Sequence, residues 1–493
     1  MKKIIAFLLA ATMMLSFAAC GGKGDVAETV SESTAAVTEK EKDPNAPDLP
    51  SAEELGDISG DFHVLVSANW AWNDFEAEEG DTTVVETAIF RRNQYIKQKY
   101  NVDITNKDVV KYASTMGSGT GFKTIYNDYI AGQSTYDAAM IGTYDIATLA
   151  YNGFLWDLNK LPHIDLEKSY WDQKANKDLA MNGAMYYTTG DISVADNRAT
   201  YVMFFSKSMV EEYGLESPYD LVNDNKWTFE KFSEMVKKVG SDDNQDGLFD
   251  KNDTFGLITP TDTHLAILSA SDERIATIGD DGKIELTFYS ERVDTLYTKY
   301  LDLIRSSNVF NYQTASGLAA SAEERVSMFN SNKVLFYSHT MFYMDDLRDI
   351  ENDFGIIPYP KYDETQESYG NLVSAWHSQF LCVPITASNV KRSGVILEEL
   401  AYKGKELLTP AYYDKTLNGQ YVRDADSSEM LDIIFANLVY DVGIYYNIGT
   451  YKDQLTTVVR TGNSLVNIYE TNRTKAEAQL ESINEAFARN TAQ

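Results

Sequence analysis

From Asp61 onward the chain switches back and forth between two hydrophobic periods, and this alternation constrains its fold more than any other feature. DFHVLVSA (61–68) reads as a strand, and residues 82–99 place Val85, Ala88, Ile89 and Ile96 on one helical face. NVDITNKDVV (101–110) reads as a second strand. GFKTIYNDYIAG (121–132) reads as a helix with Phe122, Ile125, Tyr126, Tyr129 and Ile130 inward, and YDAAMIG (136–142) as a third strand. Strand and helix in turn imply an α/β fold with a parallel sheet covered by helices. Ligands of such sheets bind beyond the carboxyl ends of the strands. A site is therefore expected in the loops SANWAWNDFE (67–76) and TYDIAT (143–148).

Further along, the order is less regular. TYVMFFSK (200–207) and KVLFYSHT (333–340) read as strands. WTFEKFSEMVKKVG (227–240) reads as a helix, with Thr228 as N-cap and Phe229, Phe232, Met235, Val236 and Val239 facing in. Trp156, in GFLWDL, alternates with apolar neighbours and reads as core. The C-terminal stretch is mainly helical, and no internal repeat is visible.

The start of the chain differs in kind. Lys2 and Lys3 precede an apolar run from Ile4 to Phe17, followed by Ala18-Ala19 and Cys20. That layout is a secretory signal peptide over 1–19, too short and wrongly flanked for a membrane span. LSFAACGG (15–22) resembles a bacterial lipobox, which implies lipidation of Cys20, although Phe17 stands where that pattern prefers Leu. Ordinary secretion with an incidental Cys is the alternative. Residues 21–58 hold no aromatic residue and carry Pro44, Pro47 and Pro50, so 20–58 reads as a lipidated Cys and disordered tether.

Length and charge narrow the function. A chain of 493 residues has room for two or three domains. Its net charge of −31 repels phosphate backbones and argues against a nucleic-acid partner. No other apolar run approaches the ~20 residues that span a bilayer, which excludes a permease. Cys382, in FLCVPI, reads as a buried, inert thiol, so no disulfide is expected.

Three stretches taken in order resemble one family. They are STYDAAMIGTYDIATLAYNGFLWDL (134–158), YVMFFSKSMVEEYGLESPYD (201–220) with WTFEKFSEMVKKV (227–239), and DFGIIPYPKYDETQESYG (353–370). Together with the lipobox they resemble extracellular solute-binding lipoproteins of bacterial ABC importers, of the carbohydrate type and similar in plan to maltose-binding protein. The resemblance implies a two-lobe periplasmic-binding-protein type II fold, with the ligand cleft between lobes joined by hinge strands. The implied division is lobe 1 over 59–190 with a return over 373–420, lobe 2 over 191–372, and a C-terminal helical segment, mainly lobe 2, over 421–493. Crossings would fall near 185–195, 370–380 and 415–430. It also implies a monomer without catalytic activity, tethered at the outer face of the cytoplasmic membrane, that closes on a sugar and is recognised by permease subunits.

Sugars are held by flat aromatics on their ring faces and by Asp, Asn, Glu or Arg on their hydroxyls. The candidates are Trp70, Trp72, Asn73 and Asp74 after the first strand, and Tyr144 and Asp145 after the third. Asp196, Asn197 and Arg198 lie near the first crossing. His339, Met341 and Tyr343 follow KVLFYS, and Trp376 and His377 follow the second crossing. Each has a plainer alternative as core, rim or solvated turn.

SDDNQDGLFDKND (241–253) matches the start of an EF-hand loop. Asp242, Asn244 and Asp246 stand at positions 1, 3 and 5, Gly247 at 6, Leu248 with its carbonyl at 7 and Asp250 at 9. Asp253 replaces the usual Glu at 12, and a strand, TFGLIT, follows in place of a helix. A structural Ca²⁺ is expected there; the alternative is an Asx-rich turn that binds nothing. GSGTGFKT (117–124) misses a P-loop because Phe122 stands where a glycine is required. The rival function is a surface glycoside hydrolase with two carboxylates flanking the bond. A binder of a non-sugar solute or peptide would share the fold.

Overall fold

β1 (Gly60–Ser67), β2 (Val102–Val110) and β3 (Ala138–Gly142) pair in parallel with β1 in the middle. The returns are the helices Val84–Tyr100 and Thr120–Ala131. The first opens on a capping box between Thr83 and Glu86 and buries Val85, Ala88, Ile89 and Ile96, the face its sequence period marks. β3 is buried at every position, as a strand covered on both faces must be. A strand from far along the chain, Gln379–Cys382, completes this sheet antiparallel to β3. Cys382 within it is a free, buried thiol whose pKa burial raises.

The computed structural model describes residues 43–111, 117–313, 321–413, 417 and 424–492. The expected signal peptide, Cys20 and the tether as far as residue 42 lie outside these residues. Asn45–Gln493 form one compact unit. The end of the expected tether departs from the sequence reading. Ser51 and Glu54 form a capping box on the helix Ala52–Leu55, Leu55 and Ile58 are buried, and Ser169 Oγ donates to Asn45 Oδ1 at 3.1 Å. Leu55 and Ile58, together with hydrogen bonds from Lys168, Lys391 and Arg392 to backbone carbonyls, hold 45–58 on the body, although the segment is polar overall.

The second sheet has six strands. Its core is β4 (Tyr201–Ser206), β5 (Thr254–Thr259), β6 (Val309–Asn311), β7 (Val334–Thr340) and β8 (Phe354–Ile357). β4 lies antiparallel between β7 and β8, and β5 lies parallel to both β7 and β6. β4, β5 and β7 are buried throughout. The helix Phe229–Lys238 packs closely on β5, where a Cβ on Gly256 would collide with the carbonyl of Val236.

Three passages run side by side between the sheets. Thr188 and Leu381 exchange backbone hydrogen bonds at 3.0 and 2.8 Å, and Thr200 bridges Val373. Asn371–Leu372 pairs in parallel with Leu438–Val439. The first two passages lie at about 188–200 and 371–381, beside the expected crossings near 185–195 and 370–380. The third is at 438–439, whereas the reading puts it at 415–430, part of which lies outside the described residues.

The helix Thr120–Ala131 differs from expectation in its inner face. Gly121, Ile125 and Asp128 are buried, whereas Tyr126, Tyr129 and Ile130 are exposed, Ile130 at 62%. Asp128 faces in because its carboxylate accepts the backbone N–H and hydroxyl of Thr135. The outward rings cover one another instead, with Phe122 stacked on Tyr126 and Phe154 set edge-on to both.

Candidate ligand-binding site

The carboxyl end of β1 leads into a turn that presents two indoles. Ala71, buried between Trp70 and Trp72, adopts a φ of 47°, a left-handed conformation that costs an L-residue ~1–2 kcal/mol. Side-chain amides fix the turn to the returning chain. Asn69 Nδ2 donates to the carbonyl of Trp376 at 3.0 Å, and Gln379 Nε2 donates to the carbonyl of Trp72 at 2.6 Å. Trp70 thereby meets His377, with ring centroids 4.3 Å apart.

The second sheet supplies the facing wall. His339 is the last but one residue of β7, and the following 3₁₀ turn, Met341–Tyr343, swings Phe342 against Trp70 (5.3 Å) and Trp72 (5.9 Å). Tyr343 covers His339 at 3.3 Å, and His339 faces His377 at 5.9 Å. A cavity of about 540 Å³ opens between these walls, within the ~300–1,000 Å³ of small-molecule sites. Of the sequence-derived candidates, Trp70, His339, Tyr343, Trp376 and His377 line it. Trp376 is 46% exposed, a large flat ring left open to solvent.

Other lining residues escaped the sequence reading: Tyr201 from β4, Pro260, Thr261 and Asp262 beyond β5, Tyr312 and Gln313 beyond β6, and Thr456 and Arg460 on the helix Tyr451–Thr461. Tyr201 donates to Asp262 Oδ2 at 2.8 Å, and the Thr261 amide donates to Gln313 Oε1 at 2.9 Å. The rule that sites lie past strand carboxyl ends, applied to TFGLIT, points to Thr261, whereas VFN is too short to be recognised as a strand. Behind the wall, buried Arg325 lies under the ring of Tyr312 (4.0 Å) and donates to the hydroxyls of Tyr337 (3.3 Å) and Tyr343 (3.2 Å). One planar cation thus orients two rings of the cavity.

Burial holds both imidazoles neutral. It pushes His377 down to about 3 and His339 well below the usual histidine range, with His377 adding to the second shift. His377 Nδ1 pairs with Ser374 Oγ at 3.0 Å, and His339 Nδ1 accepts the Thr340 amide at 2.8 Å. The cavity therefore offers flat rings, neutral imidazoles, one carboxylate and one guanidinium.

The remaining candidates lie elsewhere. Asn73, Asp74, Arg198 and Met341 line a second cavity of about 670 Å³, which Phe342 separates from Trp70. Asp74 is already bonded there, accepting Ser193 Oγ (2.7 Å) and the Val194 amide (3.0 Å). Trp72 packs against the core with Arg198 over its ring at 5.9 Å. Tyr144 lines a separate cavity beside Tyr445 and Tyr446. Asp145 is buried and accepts the amides of Gly119 (2.9 Å) and Phe122 (3.2 Å), which occupies its carboxylate in holding the start of the helix Thr120–Ala131. Asp196 and Asn197 line another cavity near the chain passages.

The loop 242–253 has the turns of an EF-hand. Gly247, at φ 79°, donates to Asp242 Oδ2 at 2.9 Å, the Asp246 amide donates to Asn244 Oδ1, and the Leu248 amide to Asp246 Oδ1. Asp250 Oδ1 accepts the Asn252 amide, and Asp253, fully buried, accepts the amides of Asp243 and Asp250. Asp242 Oδ1 is buried without a hydrogen-bond partner. Among the described residues, no three His, Cys, Asp or Glu side chains converge to hold a metal ion.

The sheet pairing and the paired passages define a two-lobe type II periplasmic-binding-protein fold, and solved structures share it over most of the chain. The GacH receptor of Streptomyces glaucescens, solved with acarbose, is 13% identical, with a TM-score of 0.51 over 88% of this chain and 98% of that one. The galacto-N-biose/lacto-N-biose I-binding protein of a Bifidobacterium longum ABC transporter is 11% identical, with a TM-score of 0.54 over 86% and 98%. UgpB from Mycobacterium tuberculosis, solved with glycerophosphocholine, is 12% identical, with a TM-score of 0.53 over 86% and 99%. No family model and no curated protein matches the sequence. No described helix is long and apolar enough to cross a membrane.

Proposed function

We propose that this protein captures a carbohydrate, an oligosaccharide, between its lobes and delivers it to ABC permease subunits by hinge closure. The observation that carries this reading is the 540 Å³ cavity, where Trp70 and Trp376 offer flat faces for sugar rings and Asp262, Gln313, Thr261 and Arg460 offer partners for hydroxyls. The fold shared with sugar-binding receptors supports it. Differential contacts across the two walls would make ligand favour the closed state.

In this reading the chain works as a monomer, anchored through lipid on Cys20 at the outer face of the bacterial cytoplasmic membrane. It performs no catalysis. The rival reading, a glycoside hydrolase, would need two carboxylates flanking the bond; Asp262 lines the cavity. A structural Ca²⁺ in the loop 242–253 belongs to the same proposal. Its support is the buried, unpartnered Asp242 Oδ1 together with the turn at Gly247. Asp242, Asn244, Asp246, the Leu248 carbonyl, Asp250 and Asp253 would supply the oxygens.

The test is a thermal-shift screen of the purified protein against mono- and oligosaccharides, with the sugar recovered afterwards. A ligand at 100 times its Kd adds ~2.7 kcal/mol to the folded state. A stabilising sugar recovered intact supports capture. A consumed sugar moves the reading to hydrolysis, and stabilisation only by a non-sugar such as glycerophosphocholine moves it to another solute class.

A further inference from the structure

His339 and His377 face each other in the 540 Å³ cavity, 4% and 6% exposed, with ring centroids 5.9 Å apart. In each ring the protein engages one nitrogen. The Thr340 amide donates to His339 Nδ1 at 2.8 Å, and Thr340 Oγ1 lies 3.2 Å from the same nitrogen. An amide N–H bonds only to a lone pair, which assigns the single proton of this neutral ring to Nε2. His377 Nδ1 meets Ser374 Oγ at 3.0 Å. The Ser374 hydroxyl also hydrogen-bonds the Tyr201 side chain. Tyr201 directs its own proton to Asp262 Oδ2 at 2.8 Å, so the serine is the donor to it. Ser374 has one hydroxyl proton, and its oxygen therefore accepts Nδ1–H from His377. The donors run one way, from His377 through Ser374 and Tyr201 to the carboxylate of Asp262, an order in which each bond strengthens the next.

The outer nitrogens are left over. Among the described residues neither Nε2 has a hydrogen-bond partner, and neither is sealed off inside the protein; both rings line the cavity. The two nitrogens are unlike, since Nε2 of His339 carries a proton and Nε2 of His377 a lone pair. Centroids 5.9 Å apart allow one oxygen atom to lie within the ~2.7–3.2 Å of a hydrogen bond from both. A group that satisfies both must accept one hydrogen bond and donate another. A hydroxyl does this. An ether or a carboxylate has nothing to give His377, and an ammonium has no lone pair for His339. A metal ion does not fit, because a protonated Nε2 is not a metal ligand.

We propose that His339 and His377 are the specificity-determining pair of this cavity and together read one free hydroxyl of the captured saccharide, His339 donating to its oxygen and His377 accepting from its O–H. The inference deepens the carbohydrate reading and rests on it. It adds a selection among sugars: the hydroxyl seated between the rings has to be unsubstituted. A saccharide with an O-methyl group, an acyl group or only hydrogen at that carbon leaves a buried imidazole nitrogen without its partner.

Nitrogen NMR of the full chain with isotope-labelled histidine tests this, since the chain has five histidines and His339→Gln and His377→Gln identify two of them. In the unaltered protein His339 is expected as the Nε2–H tautomer and His377 as the Nδ1–H tautomer. The same tautomer in both rings overturns the proposal. Glucose, galactose, xylose and the di- and trisaccharides of each are then added in turn. A saccharide that binds should shift both Nε2 resonances. His339→Leu and His377→Leu should each weaken it by ~10–100-fold, and the Gln variants, which keep an amide donor and acceptor, should recover most of the loss. Binding that leaves either Nε2 resonance unmoved overturns the pair and leaves the carbohydrate reading standing. No binding by any of the saccharides overturns the reading and the pair together. Should a leucine variant fail to fold, the tautomers and the saccharide-induced shifts of the unaltered protein decide the matter.

Discussion

His339 and His377 face each other with ring centroids 5.9 Å apart, one at the end of β7 and the other on the returning chain. Both are held neutral by burial. A histidine whose folded pKa lies below its unfolded value of ~6.5 stabilises fully above that value. The contribution is lost as pH falls from about 6.5 toward 3, because the unfolded chain takes up the proton first. Comparing unfolding free energies of the wild type and His377→Asn from pH 7 to 5 should show the difference shrinking by about 2 kcal/mol. A difference independent of pH would mean that His377 titrates normally.

Trp70 and Trp72 are neighbours in sequence with different surroundings. Trp70 lines the 540 Å³ cavity, whereas Trp72 packs on the core. Trp70→Ala should weaken binding of the stabilising sugar by about tenfold, with a small change in Tm, since ring stacking is worth ~0.5–1.5 kcal/mol beyond area. Trp72→Ala should instead lower stability by about 3 kcal/mol. Calorimetry and denaturant unfolding on the two variants separate these outcomes.

Arg325 meets the cavity through Tyr312 and Tyr343. Arg325→Met keeps the stem and removes the planar donor, so Tyr312 and Tyr343 lose their orienting partner. Affinity is expected to fall about tenfold, and Arg325→Lys should not restore it, because a lysine lacks the fork that reaches two hydroxyls. Restoration by lysine would show that charge alone matters.

Asp145 is bonded to two backbone amides at the start of a helix. Asp145→Ala should cost about 1 kcal/mol of stability, as the loss of a cap does, and leave ligand affinity unchanged. A loss of affinity at constant stability would return Asp145 to the binding site.

Chelation tests the loop 242–253. With Ca²⁺ at 100 times its Kd, removal should lower Tm by about 3 °C for a body of this size, and Asp242→Asn should abolish the difference. An identical melting curve with and without chelator would leave the loop as an Asx-rich turn.

Much of the architecture was legible because burial leaves a period behind. β1 to β3 and the face of the helix Val84–Tyr100 follow directly from apolar spacing. The helix Thr120–Ala131 was misread in part because a glycine and an aspartate share its inner face with Ile125, while Tyr126, Tyr129 and Ile130 point outward. Trp70 and His339 could be picked out as candidates because one follows β1 and the other lies near the end of β7, strands with a clear pattern. Tyr312 was not, since β6 is three residues long and shows no period. Thr456 and Arg460 are a helical turn apart on a segment with ordinary amphipathic spacing, and only the tertiary fold brings them to the cavity. The bonds that hold Asp145 come from amides about 25 residues upstream, a distance that no local motif records.

The contact of Phe342 with both Trp70 and Trp72 has a consequence for how the protein meets a solute. The phenyl ring lies tilted by 59° and 58° against the two indoles, so a solute that needs the surface of Trp70 it covers has to displace the protein's own ring. The observed affinity is then the intrinsic affinity scaled by the fraction of molecules in which that ring has moved aside. A phenyl ring in that position would be a competitor carried within the molecule, one that weakens apparent affinity by the same factor at every solute concentration.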